Sequence, residues 1–288
     1  MDKRHSRRTK LINILIKVFL NRTLLRSVNR MHYLCVYVFV PSFFYYVVRE
    51  VMPQLYVILK ASKTEYFMHL CLCTYLFINV YGNIMMFVSS SALKNDLLLD
   101  EDEWQAREDR HRFVYCGRCR RYRHETAWHC IVCDDCVVGR SYHCFIFGRC
   151  VGAYNQRYYV MTLVHVIISL LYGLYYNYVY AMHYLPEGNG SIIGNIVLMI
   201  KVLPRKLKRR EPNKPLLMFL FNVYCLPWAV TLLLIKFSLR ENTWGVLRNI
   251  QWILGTKWYW AMLCPFAKSP PHPTTLKDPY TFARLHVC

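Results

Sequence analysis

Residues 31–48, MHYLCVYVFVPSFFYYVV, carry no formally charged side chain. Eighteen residues is close to the shortest helix that crosses a hydrocarbon core of about 30 Å. Three further uncharged runs follow, at 66–90, 158–183 and 215–235. Long apolar blocks, rather than helical or strand alternation, mark a chain that surrounds itself with lipid. The predicted fold is therefore an all-α polytopic membrane protein with four transmembrane helices. The segment from Arg49 to Glu65 is short, so the first two runs form a hairpin. Pro41 and Pro227 interrupt two runs and predict kinks that a helical bundle tolerates. PEGNG at 186–190 predicts a turn after the third run.

Charge sets the expected sides. The chain carries a formal net charge of +20 and is 55% hydrophobic. A basic chain invites a nucleic-acid reading, but here the basic residues flank the apolar blocks. That is the pattern of anchoring against anionic lipid headgroups. Membrane lipid is thus the expected partner, and nucleic acid is not. Residues 1–30 hold nine Lys or Arg against one Asp. Their apolar part, LINILIKVFL, is broken by Lys17 and lacks a small-residue cleavage site, so it predicts a surface amphipathic helix rather than a secretory signal. From Arg110 to Arg157 there are nine arginines against three acidic residues, which places this segment in the cytosol.

The expected organisation is a basic cytosolic N-terminus (1–30), a transmembrane hairpin (31–90), a cytosolic segment (91–157), two more spans (158–235) with a lumenal loop at 184–214, and a cytosolic tail (236–288). The loop is the awkward element. It holds PRKLKRR, and its apolar stretch SIIGNIVLMIKVL, at 13 residues, is too short to cross and is expected to lie in the interface. Asn189 heads a glycosylation sequon whose use would report the side. The spans contain no embedded carboxylates, which argues against an ion or proton path.

The cytosolic segment contains a cysteine-rich region, 116–150. Its pattern is Cys116-x2-Cys119, then His129-Cys130-x2-Cys133-x2-Cys136, then His143-Cys144-x5-Cys150. Paired Cys-x2-Cys corners with neighbouring histidines favour tetrahedral zinc, and a reducing compartment opposes disulfides. Seven cysteines and two histidines make nine candidate ligands, whereas two closed zinc sites need eight. One residue is spare. Spacing alone does not identify it, although a cysteine directly after a ligand histidine is a good candidate. Such a thiol, set among arginines and metal sites, would have a lowered pKa. His124 reads as a loop residue and His165 as a buried histidine of the third run.

The arrangement of two spans, a cysteine-rich domain, two spans and a tail resembles the DHHC protein S-acyltransferases, the palmitoyltransferases. The resemblance is most specific from Cys116 to Tyr159. It implies one zinc set of Cys116, Cys119, His129 and Cys136 and another of Cys130, Cys133, His143 and Cys150. It also implies that Cys144 is the acylated nucleophile. CVGAYNQRYY resembles the family's C-V-G-x-x-N-x-R-x-F through Gly152, Asn155, Arg157 and Tyr159, and GVLRNIQWILG resembles its G-x-x-x-N segment through Gly245 and Asn249. The activity so implied is a two-step acyl transfer. Palmitoyl-CoA acylates the enzyme, and a membrane-proximal cytosolic cysteine of a substrate protein takes the chain. The implied setting is the endoplasmic reticulum or Golgi.

The motif departs from the family at its centre. Asp-His-His-Cys is here Ser141-Tyr142-His143-Cys144. The remaining histidine is a zinc ligand in the family, so the general base and the aspartate that orients it are both replaced. A phenol with a pKa of about 10 is a poor base at neutral pH. Phe145-Ile146 stands for Pro-Trp, Gly148-Arg149 for Asn-Asn, and the Thr-Thr-x-Glu motif is absent. Two expectations follow: an S-acyltransferase with reduced activity, or a non-catalytic zinc-stabilised scaffold of the same fold.

Overall fold

The computed structural model describes residues 22–32, 34–90, 98–183, 191–208, 214–238 and 246–267. Expectations for the basic residues 1–21, the 186–190 turn, the Asn189 sequon and Gly245 lie outside these residues.

Four helices are long and apolar enough to cross a membrane: Ser27–Ile58, Lys63–Ser89, Gln156–His183 and Lys214–Phe237. Only 12 to 39% of the residues in their apolar windows are buried by protein. Side chains such as Tyr45, Val57, Phe67 and Leu234 point outward unburied. Each such group would lose about 25 cal/mol per Å² in water and none in hydrocarbon, so the outer surface requires lipid. The expected four-span, all-α membrane fold is the one observed. Its cysteine-rich segment, between the second and third spans, is built of short β-hairpins.

The first span shows how a helix absorbs proline. Leu34–Phe39 and Val47–Val51 are π-helical, and each lies just ahead of a proline, Pro41 or Pro53. Proline removes one N–H donor and its ring clashes with the carbonyl one turn back. Widening the preceding turn relieves both. The kink expected at Pro41 thus takes the form of a wide turn just ahead of it, and Pro53 has a second of the same kind.

The described residues fall into two compact units. One takes in Ser42–Gly82 and Val160–Arg240. Its interior combines apolar clusters with polar cross-links. Ala181, Leu216 and Phe219 form one core, and Val51, Tyr180 and Met218 another. Phe44 stacks on Phe77 at 4.0 Å. Asn222 Nδ2 donates to the Leu170 carbonyl (3.1 Å), and Tyr180 Oη donates to Gln54 (2.6 Å). His165 is buried, with Nδ1 2.9 Å from the Met161 carbonyl, as expected of a packed histidine.

The short apolar stretch near residue 200 belongs to a helix, Ile192–Lys208, whose apolar part, Ile193–Val202, is too short to span. Ile196 and Val202 pack on the Ala181–Phe219 core, and Asn195 donates to Tyr178 Oη (2.8 Å). Ile193 and Ile200 stay exposed, so one face is held by protein and the other is free to meet the interface.

The other unit takes in the described parts of Met1–Pro41, Asn83–Tyr159 and Glu241–Cys288. It contains the N-terminal helix Arg22–Arg30, the strands, and the tail helices Val246–Leu254 and Trp258–Leu263. β1 (Leu98–Leu99), β3 (Arg121–His124) and β2 (Phe113–Cys116) form a three-stranded antiparallel sheet in the order β1-β3-β2. β4 (Ala127–Cys130) pairs with β5 (Asp135–Val138), and β6 (Tyr142–Cys144) with β7 (Arg149–Val151). His124 is not a loop residue. It ends β3, is buried edge-on against Phe113, and bonds Thr126 Oγ1 at 2.8 Å. Burial and then the Arg112 charge lower its pKa, so it is a neutral packing group.

The Asn222 cross-link gives a test. Asn222→Ala should lower the unfolding free energy by about 0.6 kcal/mol, the typical value of an interhelical hydrogen bond in a membrane protein. Reversible unfolding in mixed micelles measures it, and no change would mean that the bond is idle.

Candidate metal centres and nucleophile

The cysteine-rich region is three consecutive hairpins on one pattern. β2–β3, β4–β5 and β6–β7 each turn through a four-residue knuckle whose last residue is left-handed: Arg120 (φ 54°), Asp134 (φ 58°) and Gly148 (φ 67°). Cys116, Cys130 and Cys144 occupy the same place at the mouth of each knuckle and follow one another at intervals of 14 residues. His129 and His143, and Cys136 and Cys150, repeat at the same interval.

Strand alternation distributes the ligands. His129 lies opposite Cys136 in the β4–β5 pair, so both project from one face. Cys130 follows His129 and projects from the other. The result is two clusters: Cys116, Cys119, His129 and Cys136, and Cys130, Cys133, His143 and Cys150. In each, all four ligand atoms lie within 4.8 Å of one another. The memberships match those implied by the family resemblance. Each cluster joins the knuckle of one hairpin to the strand pair of the next.

The donor geometry fits zinc. With Zn–S of about 2.3 Å and Zn–N of about 2.0 Å, a tetrahedron has S···S edges of about 3.8 Å and S···N edges of about 3.5 Å. In the first cluster Cys119 and Cys136 sulfurs are 3.6 Å apart, and His129 Nδ1 is 3.2 to 4.0 Å from three sulfurs. In the second, Cys133 and Cys150 sulfurs are 3.7 Å apart, and His143 Nδ1 is 3.3 to 3.7 Å from three sulfurs. These separations are those expected of the edges of a tetrahedral metal cage. Both histidines turn Nδ1 inward. On the outer side, His129 Nε2 faces Asp134 at 3.7 Å and His143 Nε2 lies 2.8 Å from Asn29 Oδ1. Arg140 sets its guanidinium against Cys150 and Cys130, where three thiolates would exceed the charge of one dication. Among the described residues no cysteine is disulfide-bonded.

Cys144 stands apart from both clusters. It shares a strand face with Tyr142, while His143 and its cross-strand partner Cys150 take the metal face. Cys144 is thus the first knuckle cysteine of a hairpin with no successor to complete a third site. Phe147 occupies the place of the second knuckle cysteine. Instead of a metal it meets aromatic rings, Phe87 at 5.7 Å and Tyr159 at 6.2 Å between centroids. Tyr142 meets Tyr159 edge-on at 5.7 Å.

Burial acts on the Cys144 thiol against the lowering expected from nearby arginines and metal. The Cys144 thiol is buried, and burial pushes its pKa up; the backbone amides of Phe147 and Ile146 pull it down by less, and nearby Cys35 adds to the rise. Desolvation of the thiolate outweighs the two amide dipoles. Tyr142 is pushed up to about 12, chiefly by burial, so its phenol holds its proton at neutral pH. Its hydroxyl makes no hydrogen bond of ordinary geometry among the described residues.

The segment after the hairpins is locked locally. Asn155 accepts from the Gly152 N–H (2.8 Å) and donates to the Cys150 carbonyl (2.9 Å), tying the last ligand to the start of the third span. Arg157 lies 4.2 Å over the Tyr158 ring and donates to the Ala267 carbonyl (2.7 Å), holding the tail. Asn249 lies on the tail helix Val246–Leu254. Sequence reasoning missed Asn29, which no spacing signals, and the 14-residue repeat, which the spacings do contain.

Residues 109–250 match the family model described as DHHC palmitoyltransferase. The matched stretch includes both Cys/His clusters, whose donors are able to hold zinc. Palmitoyltransferase erf2 of Schizosaccharomyces pombe is 44% identical over 59 residues, 20% of this chain and 17% of the relative. Palmitoyltransferase ZDHHC9 of Homo sapiens is 36% identical over 66 residues, 23% and 18% respectively. Probable palmitoyltransferase ZDHHC24 of Mus musculus is 24% identical over 229 residues, 70% of this chain and 75% of the relative. The match thus spans less than a fifth of the first two relatives and three quarters of the third.

Metal analysis of purified protein should find about two zinc atoms per chain, and one or none would break the eight-ligand assignment. Phe147→Ala should destabilise the third hairpin by about 3 kcal/mol while both zincs stay bound. Thermal unfolding with parallel metal analysis separates the two effects.

Proposed function

We propose that this chain is a protein S-acyltransferase that moves a palmitoyl group from palmitoyl-CoA, through an acyl-Cys144 intermediate, to a cysteine of a substrate protein. The supporting observation is Cys144 itself. It is the one thiol of the cysteine-rich region outside both metal clusters, held in a knuckle whose backbone amides face its sulfur. The relatives described as palmitoyltransferases and the family match support the same reading.

In the first step the Cys144 sulfur attacks the thioester carbonyl, an S–C bond forms, and the CoA thiolate leaves with the electron pair of the broken bond. In the second, a substrate thiol attacks acyl-Cys144 and Cys144 departs as thiolate. Each step exchanges one thioester for another, so no oxidant or energy source is needed. Zinc, bound by Cys116, Cys119, His129 and Cys136 and by Cys130, Cys133, His143 and Cys150, supplies structural cross-links. The cysteine-rich domain faces the cytosol, where acyl-CoA and reduced thiols are available, and the host membrane is the endoplasmic reticulum or Golgi. Substrates are proteins with membrane-proximal cysteines.

A second reading, a non-catalytic scaffold, has a specific observation in its favour. Tyr142 stands at the base position and its buried phenol keeps its proton, so it cannot take the Cys144 proton. The thiol must lose that proton to solvent or to the departing CoA thiolate, so slow turnover is expected.

Incubation with labelled palmitoyl-CoA tests these readings. Wild type should acquire hydroxylamine-sensitive label, and Cys144→Ser should lose it while keeping zinc. Label that persists would move the nucleophile elsewhere, and an unlabelled wild type would favour the scaffold. Tyr142→His should speed self-acylation by on the order of 10- to 100-fold, the lower part of what a positioned base supplies. A folded variant with no gain would show that the missing base is not limiting.

A further inference from the structure

The two clusters orient their histidines differently. His129 has its outer nitrogen toward Asp134, five residues away in the same hairpin. His143 instead reaches Asn29, 114 residues away in the N-terminal helix. The helix is seated there by more than one contact. Leu25 packs on the core of Cys130, Val132, Val137 and Cys150. His32 bonds the Asn29 carbonyl through Nδ1 (2.6 Å), and its ring lies so close to Gly148 that a Cβ there would overlap it.

Asn29 uses both ends of its amide. Nδ2 donates to the Gly148 carbonyl (3.1 Å), and Oδ1 faces His143 Nε2 (2.8 Å). A carbonyl can only accept, so the Gly148 oxygen fixes which end of the amide faces it. The other end is then an acceptor, and His143 must bring a proton to it on Nε2. In the neutral ring that leaves Nδ1 bare, facing the sulfurs of Cys130, Cys133 and Cys150. A metal needs this unprotonated nitrogen. Gly148 also lies in the knuckle of the hairpin that carries Cys144.

We infer that Asn29 is a positioning residue: its carbonyl holds His143 in the tautomer that offers Nδ1 to the second metal, and its amide N–H pins the knuckle that carries Cys144. The N-terminal helix is in this way part of the second metal site, whereas the first is complete within the cysteine-rich region. The consequence for acyl transfer rests on Cys144 being the nucleophile, but the consequence for metal binding does not.

The test uses full-length zinc-loaded protein in detergent, challenged with a chelator and N-ethylmaleimide, with each cysteine followed by peptide mass spectrometry. In Asn29→Ala, Cys130, Cys133 and Cys150 should be alkylated about 10- to 100-fold faster than in wild type, the cost typical of losing a partner to a ligand histidine. Cys116, Cys119 and Cys136 should keep their wild-type rate. Asn29→Asp keeps an acceptor for His143 and should restore slow alkylation of the second cluster. It lacks the donor to Gly148, so Cys144, normally buried, should still react faster than in wild type. Three results would overturn the metal role: no change in Asn29→Ala, equal acceleration of both clusters, or an Asn29→Asp as labile as Asn29→Ala. Unchanged Cys144 reactivity in Asn29→Asp would overturn the knuckle role. Failure of wild type to accept palmitate would count against the acyltransferase reading alone, because alkylation needs no acyl transfer.

Discussion

Adjacent residues of a β-strand point to opposite faces, and the whole cysteine-rich region depends on that at His129-Cys130. One residue faces the first metal cluster and the next faces the second, so a single short strand belongs to both. Short hairpins of this size bury too little apolar surface to hold together alone. Metal cross-links between successive hairpins would supply what packing cannot. The interleaved ligand order is thus a consequence of strand geometry. A one-residue slip of β4 would exchange the two faces and disrupt both clusters.

The same repeat explains why a thiol is left over. A chain of hairpins joined knuckle to strand pair must end with one knuckle that has nothing to bind. Cys144 sits in that terminal knuckle, and Phe147, in place of the partner cysteine, fills it with an aromatic contact to Phe87 and Tyr159. The backbone amides that would face a metal thiolate face Cys144 instead. Burial works against them, and the neighbour on the same strand face is Tyr142 rather than a base. The fold therefore presents a positioned thiol with weak means of ionising it, which suits a slow acyltransferase or a fold that has kept its shape without its chemistry.

Much of this was legible along the chain. The uncharged runs declared the spans because crossing hydrocarbon needs only length and apolarity. The thiols and imidazoles declared metal through their spacing. Tyr142 marked a missing base only through the resemblance to the DHHC motif, in which a histidine holds that place. Other features were present but unread. The repeat of Cys116, Cys130 and Cys144 at 14 residues foretells three like hairpins, and it singles out Cys144 by its lack of a following His and Cys. His124 reads as a loop residue in the sequence because a lone polar residue between Arg123 and Glu125 gives no sign of the Phe113 ring that covers it. The burial that raises the Cys144 thiol was also unreadable along the chain, since burial is a property of the packed molecule.

Fold class, span number and the set of metal donors follow from patterns that are local in the chain, where length, polarity and spacing act within a few residues. The division of those donors between two clusters depends on which strand faces which, and so appears only once the hairpins pair. Asn29 is the extreme case. Nothing around it hints at a role, because its meaning comes from a carbonyl and an imidazole more than 110 residues away. Hydrogen-bond direction and histidine tautomer are set by three-dimensional neighbours, and these the folded chain alone brings together.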